Sequence, residues 1–125
     1  MGAADTNPMA VVEVWDRALR AGDWDTARTA LADDATYVTL NDEDTTCTNA
    51  EEIVGLMRSW KGKVPDVEVV EWETIGSRVL AHLRQPAWDD ATWFQVLTVE
   101  GGLIRRLEDH PTREAALAAM GDVGA

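Results

Sequence analysis

Helical and strand-like patterns occupy separate parts of this chain. Amphipathic helical patterns dominate residues 8–60 and are broken by one short strand pattern. Residues 67–109 read as strands separated by turns that contain Gly and Pro, and a short Ala-rich helix follows at 113–120. Such segregation indicates an α+β fold. The 125 residues form one domain, 1–125, because two separate cores would each be too small to bury enough apolar surface.

Capping residues predict where the first two helices begin and end. Asn7 before Pro8 favours a helix start, because Asn accepts hydrogen bonds from free backbone N–H groups and Pro has no N–H to leave unpaired. Gly22 predicts the end of this helix. Asp23 predicts the cap of a second, shorter helix that ends near residues 32–34.

The segment that follows predicts one short strand and a third helix. Residues 37–40 are β-formers that lie between two acidic turns. Thr48 and Asn49 each precede a Glu at capping-box spacing, and apolar residues then recur at helical spacing as far as Gly62.

The first strand after this helix contains a break in its apolar alternation. Val67 and Val69 share one parity, whereas Val70 and Trp72 share the other. A β-bulge near residue 69 accounts for the slip, and because bulges bend sheets the pattern predicts a curved sheet.

The charge balance excludes two classes of partner. The chain has 11 Lys and Arg against 23 Asp and Glu, a formal net charge of −12. A field of this sign repels phosphates and anionic lipids, so we expect neither nucleic acid nor membrane as a partner. The N-terminus has no basic region or apolar signal core, and no 18 apolar residues run together, so we expect a cytoplasmic protein.

Metal and cofactor signals are absent from the sequence. Cys47 is the single cysteine, which fits a reducing compartment and offers no adjacent base for a nucleophile role. Seven carboxylates lie between Asp33 and Glu52, but Asp42, Glu43 and Asp44 lack the spacing and glycine of a calcium loop, so a solvated rim or turn is favoured. No phosphate-loop, dinucleotide or zinc-protease motif occurs, and we expect no cofactor.

Tryptophan supplies most of the aromatic content, with six Trp against one Tyr and one Phe. Large amphipathic rings suit a pocket wall, although Trp15 and Trp60 fall at core-facing helical positions that ordinary packing explains equally well. Trp88 falls in a predicted loop. There it is a dimer contact, a pocket lid or neither. The candidate substrate-binding residues are Trp15, Tyr37, Leu56, Trp60, Trp72, Trp93 and Phe94.

The order of elements and several segments resemble the nuclear transport factor 2-like superfamily. Residues 18–25 and 30–36 are similar to the first helices and strand of ketosteroid isomerases, and 102–109 with 115–117 to the last strand and tail of SnoaL-like polyketide cyclases and limonene epoxide hydrolase. The resemblance implies a cone-shaped fold, in which a strongly curved mixed or antiparallel sheet wraps around N-terminal helices.

The resemblance also implies a homodimer formed through the outer face of the sheet. Val70 with Trp72, or Val96 with Thr98, are the candidate residues for that face.

The chemistry of ketosteroid isomerases does not carry over to this sequence. The position of that family's basic Asp falls near Thr39 and that of its oxyanion-binding Tyr at Trp15. Thr is no base near neutral pH and Trp offers one N–H donor. The last-strand Asp of limonene epoxide hydrolase and of the cyclases resembles Asp109, which is therefore the candidate catalytic residue.

Asp109 has two interpretations. At a strand end inside an apolar cone its carboxylate is desolvated, which raises its pKa and makes it a better proton acceptor. Alternatively it caps a turn or pairs with Arg105 or Arg106. A two-residue turn at Gly101-Gly102 places Asp109 opposite Phe94, and a longer loop places it opposite Trp93.

His82 is the second candidate catalytic residue. In mid-strand it is either a hydrogen-bonded structural or surface residue or, if it faces the cone, an acid–base partner of Asp109. His110, next to Pro111, is a weaker candidate.

These observations lead to two hypotheses about function. One is a pocket protein for a small hydrophobic molecule that acts as a cofactor-independent acid/base enzyme of isomerase, cyclase, dehydratase or epoxide-hydrolase type, using Asp109. The alternative is a non-catalytic ligand-binding or dimeric regulatory protein of the same fold.

Overall fold

The computed structural model describes residues 7–40 and 47–124. These residues form helices and five strands in the α+β order that the sequence predicts. No helix in this part of the chain is long and apolar enough to cross a bilayer. In chain order the elements are α1 (Pro8–Ala21), α2 (Trp24–Thr29), β1 (Leu31–Val38), α3 (Ala50–Trp60), β2 (Glu68–Ile75), β3 (Arg78–Gln85), a 3-10 turn (Pro86–Trp88), β4 (Ala91–Glu100), β5 (Leu103–His110) and α4 (Arg113–Gly124).

The predicted caps form at the first two helices. The Asn7 side chain accepts a hydrogen bond from the Met9 backbone N–H at 3.0 Å, and Pro8 is the first helical residue. Gly22 ends α1 with φ +71°, a left-handed conformation that glycine adopts without steric cost. The Asp23 side chain accepts from the Thr26 backbone N–H at the start of α2. The turn between the helices is therefore fixed by local sequence.

The boundary between α2 and β1 differs from the prediction. Helix α2 ends at Thr29 and β1 spans Leu31–Val38, whereas the sequence predicted helix to residues 32–34 and strand only at 37–40. The Ile104 backbone N–H donates to the Ala30 carbonyl at 2.8 Å, and Leu31 pairs with Ile104 of β5. Pairing with a strand distant in sequence overrides the helix propensity of this Ala-containing segment.

The five strands form one mixed sheet in the order β1-β5-β4-β3-β2. Strand β1 runs parallel to β5 and the other neighbours are antiparallel. We call the face that packs on α1–α3 the inner face; its buried residues include Val79, Ala81, Leu97 and Leu107. The outer face packs on α4, where a smaller cluster contains Leu80, Val96, Ala116 and Met120.

Helix α4 covers part of the outer face, which the sequence analysis assigned to a dimer contact. Val96 is 1% exposed beneath α4, and Trp72 packs against the inner core cluster, so neither is a free surface residue of this chain. Val70 is 54% exposed and Thr98 is half-buried. The candidate dimer residues therefore do not form one continuous exposed patch, and the homodimer stays a prediction.

Register shifts interrupt three of the strand pairs, and one of them lies between Leu31 and Thr36 in the β1–β5 pair. The predicted bulge is present, with a register shift between Val69 and Glu71 of β2. Another, which the sequence did not predict, lies in β5, where Val99 pairs with Ile104 but Thr98 pairs with Arg106. Arg105 is the extra residue.

The β4–β5 turn is the two-residue type, but Asp109 does not lie where that turn alone would place it. Glu100 pairs with Leu103, and Gly101 and Gly102 both have positive φ. Asp109 nevertheless pairs with Gln95, and both predicted alternatives, Phe94 and Trp93, were wrong. The bulge at Arg105 shifts the register by one residue after the turn.

Candidate functional site

The bulge at Arg105 decides which way the Asp109 side chain points. Without the shift, Asp109 would pair with Phe94 and share the outer face with it. With the shift, Leu107 and Asp109 lie opposite Leu97 and Gln95 on the inner face. One extra residue therefore brings a carboxylate into the cone.

Two neutral side chains hold the Asp109 carboxylate. The Tyr37 hydroxyl donates to Oδ2 at 2.7 Å, and the Gln95 side-chain amide donates to Oδ1 at 2.9 Å. Each carboxylate oxygen thus receives one donor, which fixes the orientation of the group. A carboxylate has about four lone-pair sites, so each oxygen can accept a further bond.

Burial sets the electrostatics of this cluster. Removal from water raises the pKa of Asp109 above its ordinary value, and the hydrogen bonds from Tyr37 and Gln95 oppose that rise without cancelling it. Burial, followed by the negative charge of Asp109, raises the pKa of the Tyr37 hydroxyl well above its ordinary value. Tyr37 therefore remains a neutral donor, and Asp109 is the group that changes protonation.

The Tyr37 backbone is fixed by a bridge to Cys47. The backbone N–H of each residue donates to the carbonyl of the other, at 3.0 and 3.1 Å. Burial, with a smaller contribution from the charge of Glu52, raises the pKa of the Cys47 thiol. The thiol stays protonated, so Cys47 serves this site through its backbone.

Asp109 and Tyr37 lie in the wall of a pocket of about 590 Å³. This volume is in the range typical of sites for small organic ligands. The pocket extends from the inner face of β4 and β5 toward α1, α3 and the loop after α3, and Thr39 is part of its wall. The large apolar side chains of the wall are Leu19, Trp24, Leu40, Leu56, Met57, Trp60, Val64, Val67, Trp88 and Trp93.

The structure brings together some of the predicted binding residues and not others. Tyr37, Leu56, Trp60 and Trp93 line the pocket with Asp109. Trp15 is 3% exposed within the core, Trp72 packs against the same core, and neither lines the pocket. Phe94 lies on the outer face.

His82 also lies on the outer face and does not meet Asp109. Its ring stacks on Phe94 with centroids 4.4 Å apart, beside a separate cavity of about 260 Å³. An acid–base couple with Asp109 would need both groups on one face of the sheet. His110 pairs with Phe94 and has its Nε2 3.5 Å from a Glu108 carboxylate oxygen.

Sequence reasoning missed Gln95, Gln85 and Trp24 as residues of the site, and it left three interpretations of Trp88 open. Trp88 is 55% exposed in the 3-10 turn and stacks on Trp93 with centroids 6.2 Å apart. It lines the pocket, and a role as a lid stays a prediction. Gln95 could have been found only from the correct β4–β5 register.

The basic residues at the pocket are already paired. The Lys61 ammonium lies 3.1 Å from Asp66 and donates to the Arg20 carbonyl at 2.8 Å. The Arg20 guanidinium lies 3.1 Å from Asp16 and donates to the Val67 carbonyl at 2.9 Å. These contacts fasten the loop after α3 to the end of α1.

Gln85 links two segments of the pocket wall. It is 0% exposed, its amide N–H donates to the Pro65 carbonyl at 2.9 Å, and its amide oxygen accepts from the Ala87 N–H at 3.1 Å. One side chain therefore joins the loop after α3 to the turn that carries Trp88.

Replacing Gln85 with Met is expected to destabilise the fold and loosen the pocket. Met fills a similar volume but removes the hydrogen bonds to the Pro65 carbonyl and the Ala87 N–H. Both of these residues are exposed, so water can reach the freed groups and the loss is about 0.5–1.5 kcal/mol per bond. Urea unfolding measures the loss. A Gln85→Met variant as stable as the parent would show that this linkage is dispensable.

The predictions about metals fall partly outside the described residues. Asp42, Glu43 and Asp44 lie in the segment that the structure does not describe. Within residues 7–40 and 47–124, no group of three His, Cys, Asp or Glu side chains is arranged to hold a metal ion.

Comparisons with known proteins give structural neighbours only. No family model matches the chain, and no curated protein matches it. A candidate polyketide cyclase from Sinorhizobium meliloti has a TM-score of 0.69 and 20% identity, over 81% of this chain and 94% of that one. An LEH-like epoxide hydrolase from M. tuberculosis has a TM-score of 0.65 and 23% identity, over 82% of this chain and 80% of that one.

A third neighbour has no known function. It is an NTF2-like protein from Cytophaga hutchinsonii, with a TM-score of 0.66 and 15% identity, over 89% of this chain and 95% of that one. Identities this low carry information about fold and none about activity. With its curved mixed sheet around N-terminal helices, the chain has the nuclear transport factor 2-like fold.

Proposed function

We propose that this protein binds a small, mostly apolar molecule in the 590 Å³ pocket and uses Asp109 as a proton acceptor. The observation that carries the proposal is the position of Asp109, a desolvated carboxylate oriented by Tyr37 and Gln95 in an apolar wall. Pockets that combine an apolar lining with a few convergent polar groups are typical of ligand and active sites.

The raised pKa of Asp109 supports a role as a base. A carboxylate near its ordinary pKa is a weak proton acceptor at neutral pH, and burial increases its basicity. In the proposed step a C–H or O–H bond of the substrate, or of a water molecule, breaks and its proton moves to a carboxylate oxygen. Isomerisation, cyclisation and epoxide hydrolysis all begin in this way, and two structural neighbours carry the names of such enzymes.

A ligand screen tests the pocket. The panel contains steroids, aromatic polyketides, epoxides and fatty acids. Binding of each compound is followed by tryptophan fluorescence and by thermal unfolding of the protein. Since Trp24, Trp60, Trp88 and Trp93 line the pocket, a ligand there changes their emission and raises the melting temperature saturably. A hit supplies the compound for turnover assays, whereas no response across the panel would count against the pocket.

Replacing Tyr37 with Phe is expected to shift the pH dependence of turnover upward. The change removes the donor to Asp109 Oδ2 and therefore a contact that lowers the pKa of Asp109. Ionised Asp109 then requires a higher pH, so the acidic limb of the rate profile moves to higher pH and turnover at neutral pH falls. The measurement is the pH dependence of turnover in the parent and in Tyr37→Phe. An acidic limb at the same pH in both would show that Tyr37 does not affect the ionisation of Asp109.

The second candidate function is ligand binding without catalysis. It is favoured by one observation: Tyr37 and Gln95 already satisfy one site on each oxygen of Asp109, as in a structural carboxylate. In that case Asp109→Asn leaves ligand affinity nearly unchanged and no turnover is found with any bound compound.

Replacing Trp60 with Ala is expected to weaken ligand binding under both candidate functions. Trp60 is 42% exposed at the end of α3, so its loss costs little stability but removes a large contact surface, worth roughly a tenfold change in Kd. Calorimetric titration measures the change. Val70→Ala, also exposed but away from the pocket, is the matched control. Equal affinities would place the ligand elsewhere.

A further inference from the structure

The charges at the pocket do not balance. Asp16, Asp66 and Asp109 line it together with Arg20 and Lys61. Arg20 lies against Asp16 and Lys61 against Asp66, and both cations also donate to backbone carbonyls. Both basic groups of the described wall therefore already have an acidic partner. Of the three lining carboxylates, Asp109 is the one without an ion pair among the described residues.

Asp109 has no basic side chain among its described donors. Tyr37 and Gln95 are neutral, and the neighbouring His110 acts through its charge only when protonated. A partly buried carboxylate without a cation is unfavourable, and each of its oxygens can accept a further hydrogen bond. A ligand that brings a positive charge with N–H donors would satisfy both requirements.

The rest of the wall suits a cation as well. Four of the six tryptophans line the pocket, and the faces of indole rings attract cations. The formal charge of −12 favours the approach of cations and disfavours anions. Three separate observations therefore favour a positively charged ligand. They are the indole rings of the wall, the carboxylate of Asp109 without an ion pair, and the negative net charge of the chain.

We propose that the pocket selects a small apolar molecule that carries a protonated amine, with the ammonium group at Asp109 and the hydrocarbon part against the tryptophans. The inference rests on the ligand pocket of the proposed function and specifies the class of molecule that enters it. Binding breaks no bond: ammonium N–H groups donate to a carboxylate oxygen of Asp109. The positive charge of the bound ammonium lowers the pKa of Asp109, so the carboxylate stays ionised in this complex.

Three probes with one ring system test this selectivity. They are 1-naphthylmethylamine, 1-naphthylmethanol and 1-naphthoic acid, titrated calorimetrically into the full-length protein at neutral pH and 0.15 M salt. We expect the amine to bind at least about tenfold more tightly than the alcohol, and the acid to bind more weakly than both. Salt at this level screens the general field of the chain while leaving the buried contact at Asp109 effective.

Two variants separate the pocket carboxylate from the net charge. Asp109→Asn removes the ionic partner and is expected to reduce the preference for amine over alcohol to within about threefold. Glu108→Gln removes the same charge from the next residue, on the outer face, and should retain the full preference.

The outcomes distinguish this inference from the proposed function. Equal affinity of amine and alcohol, or a preference for the amine that persists in Asp109→Asn, overturns the inference while leaving a working pocket. Loss of turnover of a neutral substrate in Asp109→Asn would then still support the base. Absence of binding by all three probes overturns the inference and also counts against the pocket.

Discussion

Asp109→Asn is expected to lower turnover of the pocket's substrate by about 10²–10⁴-fold, the usual contribution of a general base. Asn has the shape of Asp and still accepts the Tyr37 hydrogen bond, and the Gln95 amide can rotate to pair with it. The amide cannot take up a proton in the relevant pH range. Steady-state kinetics at saturating substrate measures the loss.

The same substitution is expected to raise stability at neutral pH, which distinguishes a chemical effect from misfolding. Because the pKa of Asp109 is raised in the folded state, its protonated form favours folding, and this contribution is lost as pH rises through the folded-state pKa. Asn does not titrate. Its advantage in melting temperature should therefore be largest at neutral pH and shrink in acid.

Glu108→Gln is the control for Asp109→Asn. Glu108 is the adjacent carboxylate on β5 and faces the outer side, where it forms an ion pair with Arg106 and lies 3.5 Å from His110 Nε2. Its replacement should leave turnover within about twofold, since it removes an equal charge without touching the pocket. Full activity in Asp109→Asn, or equal losses in the two variants, would exclude Asp109 as the base.

Leu107→Ala is expected to destabilise the protein by about 2–5 kcal/mol, the range for large-to-small changes in a packed core. Leu107 is 0% exposed and lies opposite Leu97 on the inner face. It shares this face with Asp109 because both follow the bulge at Arg105. Urea unfolding of Leu107→Ala therefore tests the register that also directs Asp109 into the pocket.

The neighbouring residue supplies the control for this register test. Arg106 points to the outer side, with 45% of its side chain exposed and ion pairing to Glu108. Arg106→Ala should change stability by no more than about 1 kcal/mol. If Arg106→Ala cost more than Leu107→Ala, the strand would face the other way, and Asp109 would lie outside the pocket.

Local signals in the sequence were sufficient for the features that depend on neighbouring residues. The caps at Asn7 and Asp23, the helix end at Gly22 and the bulge near Val69 all follow from residues a few positions apart. Capping and alternation act over such distances, so these predictions were confirmed.

Features that depend on distant pairing could not be predicted in the same way. The start of β1 at Leu31 is set by Ile104, more than 70 residues away in sequence, and the segment alone favours helix. The break in alternation at Arg105, between Ile104 and Leu107, is masked in the sequence, because Leu103 is also apolar and fits an unbroken alternation with Leu107. That single bulge moves Asp109 to the inner face, leaving His82 and Phe94 together on the outer one.

The pocket wall was predictable only in part for a related reason. Trp60 and Trp93 were identified from residue type, but residue type also suggested Trp15 and Trp72, which pack in the core. The α1–α2 and β3–β4 connections bring Trp24 and Trp88 to the same pocket, and that placement depends on how the elements pack. A tryptophan's chemistry suits both roles, so only the tertiary structure distinguishes them.

The most direct test of the account is an NMR titration of the Asp109 carboxyl carbon, assigned by comparison with Asp109→Asn. Because the Asp109 carboxylate is desolvated in an apolar pocket, it should titrate above the ordinary Asp pKa of about 3.9. A pKa at or below the ordinary value would mean that solvent or a stronger partner reaches the group, and would contradict Asp109 as the base of this site.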